Sequence, residues 1–172
     1  RPFIESREIV LMTFDVAKND LGTAGELFDI NIQNGSKTPR LVEIPCGTSF
    51  LPKQSDQYQN FVTIQPTNFT LEPMGWIILH PMVVCVEPEK ETPFFGERYT
   101  IGGLAEGNIL GLAQCVCKTA IDPTDTITLL STQVSFWFLS EGVTSQDLEK
   151  ISDEGLLEIL EQKNISAETM SI

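Results

Sequence analysis

The chain has 172 residues, 41% of them hydrophobic, with 24 Asp and Glu against 11 Lys and Arg and a formal net charge of −13. That balance argues against binding to a phosphate backbone or an anionic membrane surface, both of which need clustered cations, and its spread along the whole chain is that of a solvated surface. No apolar run reaches the roughly 20 residues a helix needs to cross a bilayer; the longest, residues 76–86, is interrupted by His80 and Pro81.

In chain order, Arg1-Pro2-Phe3 reads as the start of a processed, mature exported protein. Residues 9–16 form a β-branched run that reads as a strand. Phe28, Ile30 and Ile32 alternate with Asp29, Asn31 and Gln33, the period of a half-buried strand. Asn34-Gly35 follows as a tight-turn signal, so residues 41–44 are expected to complete a hairpin with it. Residues 45–59 read as a loop, 61–64 and 69–71 as short strands, and Pro73-Met74-Gly75 as a turn. Residues 76–86 predict a long central strand with Pro81 at a bulge or edge, and 87–96 a charged surface loop. Tyr99-Thr100-Ile101 resumes the strand pattern before Gly102-Gly103.

After about Asp122 the pattern changes. Ile127, Leu130, Val134 and Trp137 fall at helical spacing and Gly142 suits a helix stop, although the β-branched residues of this run leave a strand open. Thr144-Ser145-Gln146-Asp147 resembles a capping box, and Leu156, Leu157, Ile159 and Leu160 continue an apolar stripe. The expected fold is mainly β: an Ig-like antiparallel β-sandwich over residues 1–120, with a short helical C-terminal region, 121–172, packed on it.

The four cysteines, Cys46, Cys85, Cys115 and Cys117, fit two disulfides in an oxidising compartment. Cys115 and Cys117 would share one side of a strand, each joined to Cys46 or Cys85. A site of four thiolates on zinc is the competing reading, but the spacing lacks C-x2-C, so no metal and no cofactor is expected. Asn34, Asn68 and Asn164 begin Asn-X-Ser/Thr acceptors and add to the case for export. His80 is the single histidine and lies among apolar residues, as a core histidine would. There is no G-x-S-x-G elbow and no phosphate loop, Gly102, Gly103, Gly107 and Gly111 read as turn residues, and Glu87, Glu89 and Glu91 lie in the solvated loop. No catalytic residue is expected.

Thr132-Gln133-Val134-Ser135-Phe136-Trp137 resembles the T-Q-x-[AS]-x-W segment of bacterial thioester domains, which sit at the tips of surface adhesins. The resemblance covers about ten residues of the chain. It implies a Gln133 side chain condensed with a cysteine thiol into an electrophile that captures a surface nucleophile. Cys85-Val86-Glu87 is the nearest match to that family's cysteine, and Cys46-Gly47 the second. The alternative is that Gln133 and Trp137 belong to an amphipathic helix packed on the sheet.

A different expectation concerns assembly. The N-terminal segment carrying Phe3, Ile9, Val10, Leu11, Met12 and Phe14 has the pattern of a strand donated to a neighbouring subunit's sheet edge, which would build a filament or surface layer. These readings point to a secreted, non-enzymatic structural or adhesive protein at the cell surface, with a monomeric secreted binding domain as the alternative. Its partners would be copies of itself or another surface protein, with no nucleic acid and no membrane insertion.

Overall fold

The computed structural model describes residues 9–17, 24–54 and 56–141. Ten strands and two helices follow in order: β1 (Ile9–Val16), β2 (Ala24–Gly25), β3 (Phe28–Asn34), β4 (Arg40–Ile44), β5 (Thr48–Pro52), β6 (Phe61–Thr63), β7 (Thr67–Leu71), β8 (Trp76–Leu79), β9 (Val83–Cys85), β10 (Tyr99–Leu104), α1 (Gly107–Val116) and α2 (Thr126–Glu141). A three-stranded sheet, β1-β3-β8, and a five-stranded sheet, β10-β5-β6-β9-β2, are accompanied by a β4-β7 ribbon. Every pairing of these strands is antiparallel, so the fold is a mainly β, sandwich-like one.

The core follows from strand alternation. Phe28, Ile30 and Ile32 of β3 point inward and meet Phe14 and Val16 of β1, Phe50 of β5, Phe61 of β6 and Tyr99 of β10. The rings meet edge-on: Phe14 to Phe50 at 4.6 Å between centroids, Phe28 to Tyr99 at 4.8 Å, and Phe28 to Phe61 at 5.2 Å. That geometry sets the positive edge of one ring against the negative face of the next. The ribbon adds Val42, Ile44 and Leu71 to this core.

The five-stranded sheet has a second buried face. Val62 of β6 and Val84 of β9 point away from the aromatic core and pack with Ala24, Ile64 and Met82 beneath Ala113 of α1 and Leu129 and Phe136 of α2. Asp125 starts α2 by accepting hydrogen bonds from the Thr128 amide (3.1 Å) and hydroxyl (2.6 Å), which satisfies an otherwise orphaned helix donor. A disulfide from Cys46 to Cys117 ties the C-terminus of α1 to the β4–β5 turn. Gly47 in that turn has φ +84°, and a Cβ there would lie 2.6 Å from the Leu110 side chain, so the turn and helix meet where only glycine fits.

Several expectations change. β3 does not form a hairpin with residues 41–44: it lies between β1 and β8, while β4 pairs with β7 from Arg40↔Leu71 to Ile44↔Thr67. Residues 76–86 are two strands, because Pro81 cannot extend a ladder: β8 edges one sheet and β9 sits inside the other. Residues 45–59 contain β5, and 107–116 form a helix where turns were expected. The segment expected to be donated is seated in its own chain, paired from Ile9↔Asn34 to Val16↔Phe28. Ile9 and Phe14 are buried in the chain's own core, while Val10 and Met12 face outward. Phe3, Gly142 and the expected helical segments beyond it lie outside the described residues.

Phe28 touches the largest number of aromatic partners, so Phe28→Ala is expected to cost about 4 kcal/mol, read from the denaturant midpoint at unchanged slope. Removing the Cys46–Cys117 link by a paired Cys→Ser replacement is expected to cost about 4 kcal/mol, because the bond closes a loop with a sequence separation of 71.

Candidate functional site

α2 meets the five-stranded sheet through a polar residue. Leu129, Thr132, Gln133 and Phe136 form its inward stripe, at i, i+3, i+4 and i+7. Thr132 satisfies its hydroxyl by donating to the Thr128 carbonyl at 2.7 Å. Gln133 is fully buried (0% exposed), and a buried carboxamide without partners is costly. Its partners are both on one residue. The Cys85 amide donates to Gln133 Oε1 at 2.8 Å, and Gln133 Nε2 donates to the Cys85 carbonyl at 2.6 Å.

The ladder explains why those groups are free. In antiparallel pairing, alternate residues turn their N–H and C=O to opposite edges. The Ile64 amide donates to Met82 O and the Val86 amide to Asn60 O, so β9 faces β6 at alternate positions and Cys85 turns its backbone the other way. On that edge β2 pairs with Val83 and Val84. At the next rung, Cys85, the Gln133 carboxamide stands in for a strand.

The Cys85 side chain is also fully buried, beside Phe61 and Tyr99 of the aromatic core. The Glu87 amide donates to its Sγ at 3.3 Å. Burial pushes this thiol up to about 12, against the lowering effect of the Glu87 amide and the Trp137 indole and with a smaller push from the Glu87 and Glu89 carboxylates. It is therefore a neutral thiol at physiological pH. Trp137 lies one helical turn beyond Gln133, so both face the sheet at Cys85. Its Nε1 is buried without a hydrogen-bond partner, and the indole is among the groups that lower the Cys85 thiol.

The structure thus brings together Cys85, Gln133 and Trp137, and corrects the cysteine assignment. Cys46 pairs with Cys117, whereas Cys85 and Cys115 are free. The second expected disulfide fails because Cys115 and Cys117 are on and just past α1, where two residues turn about 200° rather than sharing a side. Cys115 is exposed while Cys85 is buried. Cys46, the second candidate for the thioester cysteine, is taken by its disulfide.

The remaining candidates lie elsewhere. His80 is exposed at the sheet crossing rather than in the core, with Nδ1 2.8 Å from Asp29 Oδ1. Glu87 and Glu91 brace their loop: Glu87 accepts from the Asn60 amide at 2.9 Å and pairs with Lys90 at 3.0 Å, and Glu91 accepts from Gln57. Asn34 is fully buried, and its Nδ2 donates to the carbonyls of Thr38, Leu71 and Glu72, so a glycan on that nitrogen would break the turn. Asn68 is exposed on β7, and Asn164 lies outside the described residues. A cleft of about 180 Å³ between β1 and β10, lined by Phe14, Lys53 and Arg98 among others, is separate from Cys85 and Gln133. Among the described residues no group of three or more His, Cys, Asp or Glu could hold a metal ion.

Under native conditions a maleimide is expected to label Cys115 and leave Cys85 unmodified, as read by peptide mass; native labelling at Cys85 would contradict its burial. For the free thiol the sign of the linkage follows from its raised value. The folded chain holds this proton more tightly than the unfolded one, so stability is full below about pH 9 and is lost as pH rises toward 12. Comparison of this chain with protein-family models, curated proteins and solved structures returns no match.

Proposed function

We propose that this chain is a thioester-forming capture domain: Cys85 Sγ and Gln133 Cδ condense, and the thioester then acylates an amine on a partner surface. The observation that carries this reading is the double hydrogen bond between the Gln133 carboxamide and the Cys85 backbone, which holds Cδ against the residue bearing the thiol. A helix that needed only an amphipathic face would bury a leucine at this position, not a carboxamide.

The chemistry balances without a cofactor. The Cys85 thiol adds to Cδ, its proton passes to Nε2, and the C–N bond breaks to release ammonia. The Cys85 amide, already donating to Oε1, is the group that faces the negative charge developing on that oxygen. The Cys85 carbonyl holds Nε2, the departing nitrogen. In capture, the amine attacks Cδ, the C–S bond breaks, and the sulfur regains a proton as a new amide links Gln133 to the partner. Each chain reacts once, so the function is covalent adhesion rather than turnover. Enclosure of both residues, each 0% exposed, protects the bond from hydrolysis.

The Cys46–Cys117 disulfide agrees with an oxidising, extracellular setting, which the adhesive role requires. Filament growth by donation of the N-terminal strand has less support, because β1 is already paired with β3 and its Phe14 fills the chain's own core.

Incubation with methylamine tests the reading. The wild-type chain is expected to incorporate one methylamine at Gln133 and to release one thiol at Cys85, measured after denaturation. Cys85→Ala and Gln133→Ala chains should incorporate none. A wild-type chain that takes up no amine, and whose Cys85 titrates as a free thiol from the outset, would end the proposal.

A further inference from the structure

We infer that Trp137 is a further catalytic residue of this site, its indole N–H stabilising the Cys85 sulfur as that sulfur leaves Gln133 Cδ. The inference rests on the thioester reading above and goes beyond the Cys–Gln pair that defines it. The need arises from burial. A sulfur enclosed beside Phe61 and Tyr99 is a poor leaving group, because negative charge there has lost its water. The carboxylates of Glu87 and Glu89 act in the same unfavourable direction. Breaking the C–S bond therefore calls for N–H donors aimed at the sulfur.

Two are present. The Glu87 amide donates to Sγ at 3.3 Å. The second is the Trp137 indole, one turn after the Gln133 that grips the Cys85 backbone; its Nε1 is buried without a partner, and the indole acts on the thiol in the lowering direction. A buried, unpaired indole N–H is a cost to the resting fold, and such a group is explained when charge develops where it points. Its position also follows from the helix: Gln133 and Trp137 are four residues apart, so one face of α2 delivers the acyl carbon and the donor together. The electron pair of the breaking C–S bond moves onto sulfur, to which both N–H groups donate. The attacking amine becomes cationic on bonding to Cδ, and the proton it then loses completes the thiol, so no further reactant is needed.

The test separates the N–H from the bulk of the ring. Position 137 is replaced by phenylalanine (Trp137→Phe) and, in a second chain, by benzothienylalanine, which keeps the bicyclic shape but has sulfur where tryptophan has N–H. Intact mass first establishes that each chain lacks one ammonia, and thermal unfolding that each is folded as the wild type is. Methylamine uptake is then expected to slow about tenfold to a hundredfold in both, the loss of one hydrogen bond to a charged group. Uptake at the wild-type rate by the benzothienylalanine chain would overturn the assignment. A wild-type chain with no ammonia deficit would instead overturn the thioester reading, and this inference with it.

Discussion

The hydrogen bonds between the Gln133 carboxamide and the backbone of Cys85 set how α2 lies on the sheet. An amide removed from water must recover both of its interactions, and at Cys85 a single rung of β9 offers one donor and one acceptor at the right spacing. Satisfying them fixes the rotation of the helix, so that Leu129 and Phe136 reach the second core while Ile127 faces solvent. It also fixes the position along the helix axis, because a shift of one residue would leave the carboxamide facing apolar side chains.

The rest of the fold supports that contact from both sides. β9 is held between β6 and β2, and its neighbour Phe61 is locked among Phe28 and Tyr99. Above the sheet, α1 packs against α2, and the Cys46–Cys117 disulfide anchors α1 to the β4–β5 turn. Cys85 thus comes from a rigid strand and Gln133 from a braced helix, which is what a reaction between two buried side chains demands. The same enclosure acts in two opposing ways on the proposed thioester: it would keep water from the acyl bond, and it makes a thiolate costly. The Glu87 amide, which donates to Sγ, and in our proposal the Trp137 N–H, offset the second without sacrificing the first.

What the amino-acid sequence discloses follows from local physics. The alternation in residues 28–33 is legible because β3 has one apolar and one polar face. β9 is not separable from β8 by pattern, since Val83, Val84 and Cys85 are buried on both faces and only Pro81 marks the crossing. α1 is obscured by Gly107 and Gly111, although Ile109, Leu112, Ala113 and Val116 keep helical spacing. In α2 the stripe through Ile127, Leu130, Val134 and Trp137 is rotated from the buried one, because apolar periodicity assigns a glutamine to solvent. Asn34 reads as a turn residue and a glycan acceptor for the same reason: burial of a polar side chain on backbone partners at 71 and 72 leaves no local signature. Gln133 stands out through its resemblance segment alone, and its contact with Cys85, 48 residues away, belongs to the fold.

The most direct measurement is the intact mass of freshly folded, unreduced protein, followed by fragmentation. The expected mass is short of the sequence value by two hydrogens for Cys46–Cys117 and by one ammonia, with the deficit localised to a cross-link between the peptides bearing Cys85 and Gln133. A mass short by two hydrogens alone, with Cys85 recovered as a thiol and Gln133 as a carboxamide, would contradict it.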